Sequence, residues 1–144
     1  MIYQTDPEFP PDIQHFGCYF LSLCFHLDRI FSLGIMTHEK VIGIYNAEES
    51  DSDLGNESFI QNPQGLVDHI SNSRVHYSGF ALAGYDCKPG EFEIQCWYNP
   101  ITDFHHFVAA LNGSVIYDPI EGGSRTVREG HLESKRIYLV AGES

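Results

Sequence analysis

Basic residues are scarce in this sequence. Lys and Arg together number 8, against 20 Asp and Glu, which gives a formal net charge of −12. A charge of this sign repels phosphate backbones and anionic lipid headgroups. We therefore expect no direct contact with nucleic acid and none with a membrane, whereas an acidic surface could attract a basic protein.

Long apolar runs and targeting patterns are also lacking. No run approaches the length that a bilayer span needs, and residues 1–12 contain neither the basic nor the apolar stretch of a secretory signal. These absences favour a cytoplasmic location. In that compartment the 4 cysteines are expected to be reduced thiols rather than a disulfide framework.

Closely spaced metal ligands are the third absence. No two of the cysteines Cys18, Cys24, Cys87 and Cys96 have the short spacing of common structural zinc sites. Asp51 and Asp53 resemble the start of a calcium-binding loop, but the twelfth position of that loop is Asn62 instead of Glu. We therefore expect residues 48–56 to form a solvated acidic loop, and we expect no metal or other cofactor.

What the sequence does contain is enough apolar material for one domain. Its 144 residues are 42% apolar and 13% aromatic, which suffices for a core without disulfides. We find no repeat and no linker, so residues 1–144 are predicted to form a single domain.

Periodicity divides the chain into two parts. Apolar residues recur at helical spacing from Cys18 to about Ser32, and Thr37 and Asn62-Pro63 are typical starts of two further helices. After Ser73 the pattern alternates as in strands. The sequence therefore predicts an α+β fold in which N-terminal helices pack on a mainly antiparallel sheet. Ahead of the helices, the prolines of residues 1–17 favour an extended path.

Cys18 is the first candidate for a catalytic residue. It lies where the lead-in becomes an apolar helix, and the positive end of a helix dipole favours the thiolate, which is the nucleophilic form of cysteine. A cysteine at such a place is also often a small buried apolar residue. The assignment therefore depends on a base elsewhere in the chain.

Two adjacent histidines are the candidate bases, and Asp118 is the candidate carboxylate. His105 and His106 belong to a predicted hairpin with Asn112-Gly113 at its turn, and adjacent strand residues point to opposite faces. A two-residue turn would place His105 on the face of Asp118, whereas a three-residue loop would place His106 directly opposite Asp118. Both registers are open at this point.

Gly17-Cys18, His106-Phe107-Val108 and the stretch from Val115 to Pro119 together carry a resemblance. In this order they resemble the papain-like cysteine peptidase superfamily, and most closely the branch related to domains that trim double-glycine leader peptides. The resemblance implies a papain-like fold, and it favours the three-residue loop that selects His106. The chain also resembles a small uncharacterised bacterial or phage family.

The resemblance further implies a role for each site residue. Cys18 would be the nucleophile, His106 the base and later the acid, and Asp118 would orient the imidazole. The backbone N–H of Cys18 and the side chain of Gln14 would form the oxyanion hole, with Gln4 as a competitor for the role of Gln14. Tyr19-Phe20 departs from the glycine and proline that often follow the cysteine in related domains.

These features support two main expectations about function. The first is a thiol hydrolase that acts on an amide or isopeptide bond of a peptide or protein substrate through Cys18, His106 and Asp118. The alternative is a catalytically silent papain-like module that binds a protein partner through its acidic surface. A weaker third possibility is an acidic inhibitor of a nucleic-acid-binding protein. The sequence does not indicate an oligomeric state.

Overall fold

The structure is a computed structural model that describes residues 1–55 and 60–141. Helices fill the first half of these ranges and strands dominate the second half. Along the described chain the elements are α1 (Pro11–Phe16), α2 (Cys18–Phe31), α3 (His38–Ser50), α4 (Pro63–Ser71), β1 (Val75–Leu82), β2 (Glu91–Asn99), β3 (Phe104–Leu111), β4 (Ser114–Tyr117), α5 (Arg125–Glu129) and β5 (His131–Val140).

One sheet contains all of these strands, in the order β1-β5-β2-β3-β4. Every neighbouring pair in it is antiparallel. The predicted α+β class, with N-terminal helices on a mainly antiparallel sheet, is thereby confirmed. None of the helices within the described ranges combines the length and the apolarity that a bilayer crossing requires.

Helix α2 supplies much of the core. Its fully buried residues follow the predicted helical spacing, and they pack with apolar side chains of the sheet; the helix contributes Phe20, Leu21, Leu23, Cys24 and Leu27, and the sheet contributes Phe92, Ile94 and Tyr138. Burial raises the pKa of the Cys24 thiol well above its usual range. Cys24 therefore belongs to the core and not to a reactive site.

The predicted helix starts are present with their capping bonds. The hydroxyl of Thr37 accepts a hydrogen bond from the Lys40 N–H at 3.3 Å, and the side chain of Asn62 accepts one from the Gly65 N–H at 3.1 Å. Helix α2 ends at Phe31, and the following residue, Ser32, takes the left-handed conformation, close to the predicted end of the helix.

The lead-in differs from its prediction. Instead of an extended path throughout residues 1–17, Pro11–Phe16 forms helix α1. Pro11 stands at the start of this helix, where the missing N–H costs nothing and the fixed φ of proline already suits the helix. The prolines therefore position the start of α1 and do not prevent it.

The acidic segment also differs from its prediction as a solvated loop. Helix α3 continues to Ser50 and so includes Glu48. Glu48 and Asp53 are only 3% and 2% exposed, and Leu54 forms an isolated bridge with Ile60. Part of the predicted loop is therefore helical or buried, while its last residue, Asn56, lies outside the described residues.

Candidate functional site

Cys18 is the first residue of α2 and directly follows the end of α1. Between the two helices, Gly17 donates its backbone N–H to the carbonyl of Ile13 at 2.9 Å. A Cβ atom on Gly17 would lie 2.6 Å from that same carbonyl oxygen. A glycine is therefore required before Cys18 for α1 to close tightly and α2 to start at the cysteine.

His106 reaches Cys18 from strand β3. The imidazole is 6% exposed and lies near enough to the thiol of the half-buried Cys18 to interact with it. Its other contact is with Asp118, which lies 2.7 Å away from Nε2 through Oδ1. Because Asp118 occupies Nε2, Nδ1 is the ring nitrogen that remains for the thiol. The fold thus brings together the cysteine, the histidine and the aspartate selected from the sequence.

Asp118 is held in place by backbone groups as well as by His106. Its Oδ1 accepts a hydrogen bond from the N–H of Ile120 at 2.9 Å, and its Oδ2 accepts one from the N–H of Ser124 at 2.8 Å. Burial would raise the pKa of this carboxyl, but the bonds from His106 and the backbone outweigh burial and lower it. Asp118 is therefore a fixed, ionised acceptor for the imidazole.

The imidazole of His106 is held in its charged form. Burial alone would lower its pKa, but hydrogen bonds to Asp118 and Cys18, together with their negative charges, raise it to about 9. A cationic imidazole beside the sulfur stabilises the thiolate electrostatically. The geometry is therefore suited to a thiolate–imidazolium pair oriented by a carboxylate.

The hairpin that carries His106 has one of the two turns that the sequence left open. Asn112 and Gly113 have positive φ values of 52° and 83° and form a two-residue turn, so that Leu111 pairs with Ser114. The three-residue loop that the papain-like resemblance favoured is therefore wrong. Strand β4 instead contains a bulge at Ile116. This extra residue shifts the alternation of side chains between the two faces of the sheet before the chain reaches Asp118.

The bulge decides which histidine meets Asp118. Before it, Ala110 pairs with Val115; after it, Ala109 pairs with Tyr117. The extra residue reverses the face that Asp118 would otherwise take, because side chains alternate along a strand. His106 is consequently bonded to Asp118, as predicted, but for a different reason.

His105 points away from this group. Its side chain is half exposed, and its Nε2 lies 3.1 Å from a carboxylate oxygen of Glu133. Its ring packs 4.7 Å from the ring of Tyr98, measured between centroids. Of the two candidate bases, only His106 has the position that a partner of Cys18 requires.

The side-chain amide of Gln14, a predicted part of the oxyanion hole, is bonded to two backbone carbonyls. Its amide nitrogen donates to the carbonyl oxygen of Phe9 at 2.8 Å and to that of Asp6 at 3.3 Å. Both amide protons are therefore used to fasten α1 to the lead-in. These two bonds favour a structural role for Gln14, and its part in the oxyanion hole stays a prediction.

Gln4, the competing glutamine, connects the lead-in to the segment after Asp118. Its backbone N–H donates to the carbonyl of Pro119 at 2.7 Å, and its buried amide nitrogen donates to the carbonyl of Gln14 at 3.0 Å. These bonds fix Gln4 between helix α1 and the segment after Asp118, and they use one of its two side-chain amide protons. Gln4 therefore stays a candidate for the oxyanion hole beside the backbone N–H of Cys18.

Tyr19, the unusual residue after the cysteine, packs against the sheet. Its ring centroid lies 4.7 Å from that of Phe107, and its hydroxyl lies 2.8 Å from the hydroxyl of Tyr138. The bulky side chain therefore has a structural explanation, because it anchors the first turn of α2 next to the strand that carries His106.

A possible metal site lies elsewhere in the described residues. Glu48, Asp51, Asp53 and His69 are grouped closely enough to hold a cation. The sequence pattern indicated only Asp51 and Asp53, because Glu48 and His69 come from two helices that the fold brings together. Among the described residues, Cys18, His106 and Asp118 belong to no such metal-ligating group.

A comparison with protein families matches residues 1–140, which is almost the whole chain. The chain belongs to the family described as Protein of unknown function, DUF261. Searches of curated proteins and of solved structures found no match. The function of this DUF261 member therefore has to be argued from its own residues, and the papain-like resemblance remains a prediction.

Proposed function

We propose that this protein is a thiol hydrolase that acts on an amide or isopeptide bond of a peptide-like substrate. The observation that carries the proposal is the position of His106, which contacts the Cys18 thiol on one side and lies 2.7 Å from Asp118 on the other. A nucleophile, a base and a group that orients the base are the parts that covalent acyl transfer needs.

In the first half of the proposed reaction, the Cys18 thiolate attacks the carbonyl carbon of the substrate. The resulting oxyanion is stabilised by the backbone N–H of Cys18, since the first N–H groups of a helix have no acceptor within it. His106 gives its proton to the departing amine as the carbon–nitrogen bond breaks. The acyl group is then a thioester on Cys18, and His106 is neutral.

In the second half, the neutral His106 accepts a proton from a water molecule while the water oxygen attacks the thioester carbon. The carbon–sulfur bond breaks, the carboxylic acid leaves and Cys18 becomes a thiolate again. Asp118 keeps the imidazole in one orientation through both halves.

Solvent access also supports the assignment. Cys18 is half-buried, whereas Cys24 and Cys96 are buried. A cavity of about 340 Å³ borders Asp118; its lining includes Tyr3, Tyr117 and Gly122 but neither Cys18 nor His106. We propose that a substrate approaches the sulfur from solvent, and that a more distant part of the substrate occupies this cavity.

A generic acyl donor tests the reaction without knowledge of the natural substrate. We expect p-nitrophenyl acetate to give a burst of one p-nitrophenol per chain, an acetyl thioester on Cys18 visible by mass spectrometry, and continued turnover. Cys18→Ala should abolish all three. His106→Gln should slow both steps by about a hundredfold, which is the typical contribution of a general base.

Cys87→Ala is the matched control, since it removes a second half-buried thiol outside the group. It should leave burst and turnover unchanged. Acetylation of Cys18 no faster than that of Cys87, with no turnover, would contradict the proposed hydrolase. That result would favour the alternative, a catalytically silent module that binds a protein partner through its acidic surface.

A further inference from the structure

A second cluster of polar residues joins the end of α3 to α4 and takes no part in the proposed reaction. Glu48 lies near the end of α3, Asp51 and Asp53 follow that helix, and His69 lies on α4. From Nδ1 of His69, the nearest carboxylate oxygens lie at 3.0 Å on Glu48, 3.0 Å on Asp53 and 3.8 Å on Asp51. The three carboxylates therefore converge on one nitrogen.

Two of these carboxylates are removed from water. The side chains of Glu48 and Asp53 are each 4% exposed, while those of His69 and Asp51 are 51% and 58% exposed. The site therefore has a buried floor and an open side. Burying a carboxylate is costly unless its charge is compensated, and two adjacent carboxylates repel each other.

Asp53 shows that the compensation is incomplete. Its Oδ2 is buried and has no hydrogen-bond partner, although Nδ1 of His69 is only 3.0 Å away. The reason is that Nδ1 has one bond to give, and it is made to Glu48. Across residues 1–55 and 60–141, no Lys or Arg forms an ion pair with this cluster. The buried Oδ2 of Asp53 therefore lies within the cluster and accepts no hydrogen bond.

We propose that Glu48, Asp51, Asp53 and His69 form a binding site for one divalent transition-metal ion. The four candidate ligand atoms all lie within 4.8 Å of one another. Opposite ligands of a bound ion are about 4.3 Å apart, because metal–oxygen and metal–nitrogen bonds are about 2.0–2.2 Å long. Only small side-chain movements are therefore needed for the ion to enter.

The donor set indicates the class of metal. An imidazole nitrogen favours zinc and other transition metals, and the carboxylates also suit Mn²⁺, whereas Ca²⁺ and Mg²⁺ prefer oxygen ligands alone. Three carboxylates together carry more negative charge than a divalent ion carries positive charge, so they neutralise the charge of the ion. On binding, the ion takes the Nδ1 lone pair of His69 and the proton on Nδ1 is released to solvent.

The position of the site suggests a structural effect. A metal ion there would connect three parts of the chain: the end of α3, the segment that contains Asp53, and α4. Residues 56–59, which lie outside the described ranges, come between the second part and α4 in the sequence. Binding to the folded state alone stabilises a protein by mass action. We therefore expect the ion to raise thermal stability without altering the reactivity of Cys18.

Titration of the chelator-treated full chain with MnCl₂, ZnCl₂ or MgCl₂ tests this proposal. Isothermal calorimetry should show one site for Mn²⁺ or Zn²⁺, with a melting temperature that rises with metal concentration, and much weaker binding of Mg²⁺. Asp53→Asn and His69→Gln should each weaken binding by about tenfold or more, as expected for loss of one ligand. Glu39→Gln, which removes an exposed carboxylate from the same helix, should bind as the wild type does.

Asp53→Asn also provides a readout in the absence of metal. The metal-free variant should be at least as stable as the wild type, because an unpaired buried charge is gone. His69 is half exposed, so His69→Gln keeps the test valid if Asp53→Asn unfolds. Nitrogen hyperfine coupling in the electron-spin-echo spectrum of bound Mn²⁺ should disappear in His69→Gln. Absence of binding below millimolar metal, or binding unchanged in both variants, would overturn the proposal.

Discussion

A 2.7 Å hydrogen bond joins His106, on strand β3, to Asp118, the residue that directly follows strand β4. The last pair of the ladder before Asp118 is Ala109 with Tyr117, so that Asp118 follows opposite Val108 and meets His106 diagonally. The bulge at Ile116 creates this relationship. One inserted residue therefore determines which of two adjacent histidines can serve Cys18.

The titration of His106 should report this bond directly. We predict that the imidazole titrates near pH 9 in the wild type, because its hydrogen bonds to Asp118 and Cys18 outweigh its burial. Asp118→Asn and Cys18→Ala should each lower that pKa. The measurement is side-chain NMR of the His106 ring nitrogens across pH in the wild type and in both variants.

The same shifts predict how stability depends on pH. The pKa of His106 is raised, so the stability it contributes is complete below its unfolded value of 6.5 and is lost as pH rises through about 9. The pKa of Asp118 is lowered, so its contribution is present above 3.8 and is lost as pH falls through its lower folded value. Urea unfolding should show that Asp118→Asn costs more at pH 6 than at pH 10. Equal costs at the two pH values would argue against the pair.

Gln14 should prove structural rather than catalytic. Gln14→Ala removes two hydrogen bonds to backbone carbonyls, and we predict a loss of about 1–2 kcal/mol in the free energy of unfolding. The rate of Cys18 acetylation by p-nitrophenyl acetate should remain within about twofold of wild type in the folded variant. If the acetylation rate fell by tenfold or more while stability was unchanged, Gln14 would instead be assigned to the oxyanion hole.

A buried ion pair offers a separate test of the sheet. Nζ of Lys135 lies 3.0 Å from a carboxylate oxygen of Glu93, and the two side chains are 5% and 1% exposed. Lys135→Met should cost about 3–5 kcal/mol, because it leaves a buried carboxylate without its cation. Adding Glu93→Gln should recover much of that loss in urea unfolding. If the double variant lost as much free energy of unfolding as the two single variants lose together, this account would be contradicted.

Much of the architecture could be predicted because local signals decide it. The apolar spacing after Cys18 fixes α2, the hydroxyl of Thr37 caps α3, and Asn112-Gly113 makes the hairpin turn. The membership of Cys18, His106 and Asp118 in one group also followed from the sequence, although their catalytic role stays a prediction.

The remaining features depend on tertiary contacts that a single sequence does not reveal. Nothing local marks the bulge at Ile116, and the short helix α5 was not predicted. Glu48 is buried because α3 continues beyond its expected end and packs near His69. The sequence does not reveal that the Gln14 amide bonds to the carbonyls of Asp6 and Phe9, because these contacts depend on the path of the lead-in.

Alkylation of Cys18 is the most direct test of the central claim that His106 activates this thiol. Cys87 is the control within the same chain, because burial and the nearby Glu93 raise its pKa to about 12 and its slow reaction should not depend on His106. With iodoacetamide at pH 6 and peptide mass spectrometry, we predict that His106→Gln slows the alkylation of Cys18 by at least about tenfold and leaves that of Cys87 unchanged. A Cys18 rate that His106→Gln leaves unchanged would contradict the account.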